Sequence, residues 1–181
     1  MTNVIDPGSE QDQARGLDAR AKVSAALACL QDARDQAAGL ESIREVAANV
    51  LGSEEIAIFK VDKEKAVLWL YWCAGIDPNR YFCLDVMREP KLQSVLEGQI
   101  IVADENSEKL LSIQDPITAL IPVLVFDAVT AVIVIFRLLP QKAAFDAADR
   151  DVCRALSIAA GKAIQPAAKI HHSEMKRDNN K

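Results

Sequence analysis

Cys73 and Cys83 stand ten residues apart in a chain with four cysteines, the others being Cys29 and Cys153. A reactive thiol at Cys73 or Cys83 is the one nucleophilic or redox chemistry these residue types suggest. No two cysteines form a C-x-x-C pair, and each sits in an otherwise apolar segment, so the expectation is four buried small hydrophobes. The only histidines, His171 and His172, are adjacent in a polar tail. Zinc ligands need closer clustering with other donors than this, so no metal site is expected. No residue is assigned a catalytic role, and no cofactor is expected.

The bulk numbers narrow the classes. The chain has 181 residues, enough for one domain with a sizeable core. Half of it is hydrophobic and 26% is charged, as in ordinary globular proteins. The net charge of −5 argues against nucleic acid as the main partner, because phosphate binding wants a basic surface. No apolar run follows basic residues at the N-terminus, so no signal peptide is expected. The longest apolar stretch, around Ile117 to Ile135, is rich in β-branched residues and interrupted by Asp127 and Thr130. It reads as strands, not as a membrane span. The expected location is the cytoplasm, with no membrane partner.

Hydrophobic spacing supplies the elements. Residues 1–8 have no periodicity and read as a disordered leader. Over 9–38, apolar residues recur every three or four positions, which predicts one long helix stopped by Gly39. A second helix is expected over 40–51. Two strands follow, Ile56 to Val61 and Ala66 to Cys73. Alternation in the second would send Val67, Trp69, Tyr71 and Cys73 to one face and Leu68, Leu70 and Trp72 to the other. Short elements are expected at 81–86 (strand), 91–96 (helix) and 99–102 (strand). A hairpin spans 117–126 and 129–138 about Asp127-Ala128. Pro122 lies within it, which implies an edge or a bulge. A last helix begins at Asp146 with Asp149 in its first turn, both suited to a helix N-terminus. Residues 166–181 read as a polar tail.

This order, together with local motifs, resembles a GAF domain over 39–165. The last strand pair is followed by Phe145-Asp146-x-x-Asp149 and an apolar helix to Ile164. Leu40-Glu41-Ser42-Ile43, Glu55 to Phe59, Leu96-Glu97-Gly98-Gln99 with Val102-Ala103-Asp104, and Ala119 to Val123 with its embedded proline match the family in order. The resemblance implies an α+β fold. A central antiparallel sheet of five to six strands would have the N- and C-terminal helices on one face and the variable middle on the other. The PAS fold is the structural alternative; it would place a longer helix mid-chain and lacks the two-helix N-terminal lead.

The resemblance also implies where function would lie. Trp69, Tyr71, Cys73, Tyr81, Cys83, Arg88 and Asp104 flank the place where family members hold ligands. An apolar pocket with Arg88 as anchor would suit a carboxylate or phosphate. The Asn-Lys-x-x-x-Phe-x-x-x-Asp-Glu pattern of cyclic-nucleotide-binding members is absent, and no cysteine has the histidine neighbour of bilin-attaching members. Free methionine sulfoxide reductases share the fold and use cysteines, but the residues around Cys73 and Cys83 do not resemble their active-site loop. In the family the terminal helices form dimer bundles. Here Leu17, Ala21, Ser24, Ala25 and Ala28 on the long helix, and Ala155, Ala159 and Ala163 on the last, would permit close crossing. The reading is therefore a non-catalytic module of bacterial signalling that homodimerises and relies on a separate signalling protein for output. A small-molecule sensor is the first alternative and a cysteine-dependent reductase the second.

Overall fold

Phe126 and Asp127 both adopt positive φ, 48° and 62°, and join the two strands at the centre of the fold. Two successive left-handed residues are what a two-residue type I′ hairpin requires, because their twist matches that of the strands. The turn thus falls one residue earlier than the sequence suggests, between β5 (Ala119–Val125) and β6 (Ala128–Ile135). This computed structural model describes residues 7–103 and 109–164, with the backbone alone for 7–16 and 19. The remaining strands are β1 (Ile56–Asp62), β2 (Val67–Ala74), β3 (Cys83–Asp85) and β4 (Ile101–Val102). They form one six-stranded sheet in the order β3-β2-β1-β6-β5-β4, and every pairing is antiparallel. β4 pairs with β5 at Ala119 and Leu120, so beyond Leu120 the outer edge of β5 has no strand beside it among the described residues. Pro122 lies in that stretch, one residue before a register shift at Val123/Leu124, where a missing N–H costs no ladder bond.

The N-terminal lead differs from the expected single helix over 9–38. Helix α1 spans Pro7–Gln31 and α2 spans Gln36–Val46. Asp35 is extended, and its carboxylate accepts the Ala38 N–H at 2.8 Å, so a fresh helix starts there. Gly39 therefore lies inside α2 and stops nothing. Its role is proximity: an added Cβ would lie 2.6 Å from Ala163 Cβ on α4 (Ala147–Ile164). α2 ends in a π-turn, Ala47–Leu51, closed by Gly52 at φ 73°. The short α3 covers Pro90–Leu96, with the proline in its first turn.

Two cores flank the sheet. On one face α1, α2 and α4 bury Ile43, Val46, Leu51, Ile58, Ile121, Ile133 and Leu156. On the other, α3 and residues 109–117 cover Phe59, Leu68, Leu92, Leu120, Val132 and Phe136. This is the two-sided arrangement the sequence implies.

Strand β2 breaks the expected alternation. Ile58 pairs with Trp72 while Phe59 pairs with Leu70, leaving Tyr71 as an extra residue opposite a register shift. Such a bulge reverses which side chains face which way beyond it. Leu68 and Leu70 pack with the α3-side core, and so does Cys73. Tyr71, Trp72 and Ala74 pack with the helix-side core. Cys73 and Trp72 have thus exchanged the faces that strict alternation gives them.

Candidate functional site

Helix α4 begins with a reciprocal cap. The Asp146 carboxylate accepts the Asp149 N–H at 2.8 Å, and the Asp149 carboxylate accepts the Asp146 N–H at 2.9 Å. This satisfies amides that a helix start leaves free. From that start α4 runs beside α1. Ala26 and Leu30 of α1 are buried between them, and Val23 and Cys29 pack against the same core.

A shallow groove runs along the outer side of the two helices. Val23, Ser24, Leu27 and Ala28 form one wall and Ala155 and Ile158 the other. Ile158 is 71% exposed, on the outer face of α4 that Arg154 and Lys162 share. Arg20, Asp151 and Arg154 rim the groove, and Arg154 pairs with Asp151 within its own helix. Of the residues singled out in the sequence, Ser24, Ala28 and Ala155 lie in this groove, while Ala159 lines its continuation toward Arg34 and Lys162. Leu17, Ala21 and Ala25 are exposed on the outer surface of α1. Ala163 also lines that continuation but is largely buried against Gly39 of α2, so its small size mainly serves contact within the chain. The sequence reading missed Leu27 and Ile158. A leucine and an isoleucine at helical spacing read as core, and only the position of the neighbouring helix shows that they stand at its edge.

The candidate pocket residues do not converge. Tyr81 is buried on the α3 side, tilted against Phe136 with centroids 5.3 Å apart, and its hydroxyl has no hydrogen-bond partner among the described residues. Cys73 packs toward the same core. Trp69 and Cys83 are directly opposed across β2 and β3, so they share a side of the sheet. Trp69 donates its indole N–H to Asp62 at 3.3 Å and meets the exposed Phe82 edge-on, centroids 5.3 Å apart. Tyr71 packs toward the helix side and carries Lys60 Nζ 3.7 Å above its ring. Arg88 points to solvent and pairs with Asp85 at 3.2 Å, three residues away on its own turn. Asp104 lies outside the described residues, as do His171 and His172. The α3-side core is filled by Phe59, Leu68, Leu92, Leu120 and Phe136, all fully buried.

The thiols are also separated. Only Cys153 is buried; Cys29 and Cys73 are half-buried and Cys83 is exposed, contrary to the expectation of four buried cysteines. Cys83 sits opposite Trp69, four residues before Cys73 on β2, and the bulge turns Cys73 to the other face. At about 3.3 Å per strand residue the two lie roughly 13 Å apart, well beyond disulfide reach. Burial pushes the Cys73 thiol up, and Asp77 adds to this, so it is protonated at neutral pH. Burial, reinforced by Asp149, pushes Cys153 up to about 12. Among the described residues no group of three or more His, Cys, Asp or Glu side chains is arranged to hold a metal ion. Among them, too, no helix is long and apolar enough to cross a membrane.

Comparison with known proteins places the fold. A scan against protein-family models finds no match. A search of curated protein sequences finds none either. Solved structures do match. The GAF domain of a phosphoenolpyruvate-protein phosphotransferase from Coxiella burnetii superposes with a TM-score of 0.64 at 13% identity, covering 82% of this chain and 93% of that one. A fragment of a methyl-accepting chemotaxis protein, residues 122 to 287, gives 0.55 at 17% identity, covering 77% and 94%. The free methionine-R-sulfoxide reductase of Neisseria meningitidis, solved with its substrate, gives 0.55 at 16% identity, covering 81% and 89%. The chain has the GAF fold, as its sequence motifs imply.

Proposed function

We propose that this chain is a non-catalytic signalling module that homodimerises through the α1/α4 face and passes its state to a separate protein. The observation that carries this reading is the groove between α1 and α4. Small side chains, Ser24, Ala28 and Ala155, surround the protruding Ile158, and charges of both signs rim them. A two-fold contact needs a surface that complements itself. Here Ile158 of one copy has an apolar furrow to enter on the other, and the rim can set Arg20 or Arg154 of one copy against Asp151 of the other. Small residues at the crossing let helices approach closely. The separation of Cys73 from Cys83 supports a role without thiol chemistry. Sedimentation equilibrium tests the reading: a mass twice the 19.8 kDa of one chain is expected.

A second reading rests on Tyr81. Its buried hydroxyl bonds to no protein group among the described residues, which leaves a donor and acceptor for a ligand to use. A ligand of modest size bonded to Tyr81 Oη on the α3 side would make the domain a small-molecule sensor. It would have to displace part of a filled core, so it must favour one state of the domain over another. A thermal shift with a metabolite panel tests this: a rise in Tm that Tyr81→Phe removes supports it, and no shift with any compound counts against it.

A further inference from the structure

The buried carboxylate of Asp149 is shared by two lysines from different parts of the chain. Its side chain is fully buried. Lys142 from the β6–α4 connection reaches Oδ2 at 2.8 Å. Lys22 from α1 lies 3.6 Å from Oδ1, an oxygen with no hydrogen-bond partner among the described residues. Lys22 also donates to Asp146 at 3.3 Å and lies 3.7 Å from Asp18. Lys142 reaches further, packing over the Phe145 ring and donating to the Val50 carbonyl at the end of the π-turn.

We infer that Lys22 is a latch that holds α1 against α4, and that releasing it frees α1 while leaving the rest of the domain folded. Three observations combine. Apart from Lys22, α1 meets the domain along one stripe: Ala26 and Leu30 are buried, and Val23, Leu27 and Cys29 partly so. In proteins most helical stability comes from packing against the fold and little from propensity, so α1 depends on these attachments. Second, Lys22 is only 28% exposed and lies against a fully buried carboxylate, so this contact is worth more than an ion pair on the open surface. Third, Asp149 does not lose everything when α1 leaves. Lys142 and the Asp146 N–H still hold Oδ2, so the α4 cap survives. One side of the carboxylate belongs to the folded domain and the other to the movable helix.

The consequence for assembly rests on the dimer reading above, because the groove exists only while α1 lies beside α4. The latch would then set how much of the protein is competent to pair. The latch itself does not require a dimer.

Hydrogen exchange on the full chain tests it in the Ile158→Arg background, which disrupts the proposed intermolecular face without touching Lys22. Adding Lys22→Met keeps the aliphatic stem and removes the charge. Amides over 17–31 are then expected to exchange about tenfold faster or more, while α4 and the sheet keep their rates. Asp149→Asn is expected to loosen α1 as well, together with 139–146, because Lys142 loses the same carboxylate; adding Lys22→Met to it is expected to loosen α1 little further. Lys142→Met is expected to loosen 139–146 but not α1. Unchanged α1 protection in Lys22→Met, or equal acceleration across α1, α4 and the sheet, would overturn the latch. Should Asp149→Asn fail to fold, the Lys22→Met result decides alone. A latch that holds in a protein that is monomeric throughout would reject the dimer reading and leave this one standing.

Discussion

A methyl group on Gly39 of α2 would sit 2.6 Å from Ala163 Cβ and 2.9 Å from Ala163 Cα and its carbonyl oxygen. The two helices therefore meet side chain to backbone, and neither neighbour can swing away as a long side chain would. Gly39→Ala gains up to about 1 kcal/mol of helix propensity. The forced separation of α2 from α4 costs about 1–3 kcal/mol. The net expectation is a lower urea midpoint with an unchanged slope; a stabilised variant would mean that the helices can part freely.

The hairpin turn offers the opposite case. Phe126 is 97% exposed at φ 48°, and Asp127 follows at φ 62°. Non-glycine residues in this region carry strain, and Asn-Gly is the pair that a type I′ turn favours. Replacing Phe126 by Asn and Asp127 by Gly is expected to stabilise the domain by about 1 kcal/mol in urea unfolding. A loss of stability would show that Phe126 makes a contact the fold depends on.

Tyr81→Phe isolates the unpartnered hydroxyl. With no bond to a described residue to lose, the variant should be as stable as the wild type or more so, because a buried polar group without a partner costs about 1–3 kcal/mol. A drop of more than about 1 kcal/mol in urea unfolding would reveal a partner for that oxygen, a bound water or ligand, in solution.

The pH dependence of α1 attachment has a definite sign. Asp146 is held below its ordinary 3.8: burial works against this, but the Asp149 N–H and Lys22 outweigh it. Its contribution is present above 3.8 and is lost as pH falls through the lowered value. Lys22 is raised above its ordinary 10.5: burial opposes this, while Asp149 and Asp146 more than compensate. Its contribution is present below 10.5 and is lost only as pH rises through the raised value. The difference in Tm between wild type and Lys22→Met should stay level across neutral pH and shrink as pH falls below about 3.8. A difference that grew in acid would contradict the pairing.

Much of this architecture is legible in the residues. Alternation and turn residues place the strands and the hairpin, and Phe145-Asp146-x-x-Asp149 marks the start of α4. The break after Gln31 is less visible, because Asp35 caps a new helix in a stretch whose periodicity runs on, and Gly39 imitates a stop. The bulge at Tyr71 leaves no mark in composition: one extra residue in β2 exchanges the faces of Cys73 and Trp72, which parts Cys73 from Trp69 and Tyr71, its companions in the pocket that the family resemblance implies. The groove depends on where α1 and α4 lie relative to each other. Sequence supplies the small residues, but only their packing shows that Ala163 faces inward while Ile158 faces out.

The central claim is association through that groove. Sedimentation equilibrium of wild type and Ile158→Arg across micromolar concentrations tests it most directly. The account predicts twice the 19.8 kDa chain mass for the wild type and a single-chain mass for the variant, both with unchanged circular dichroism. A wild type that stays at 19.8 kDa, or a variant that still pairs, would contradict it.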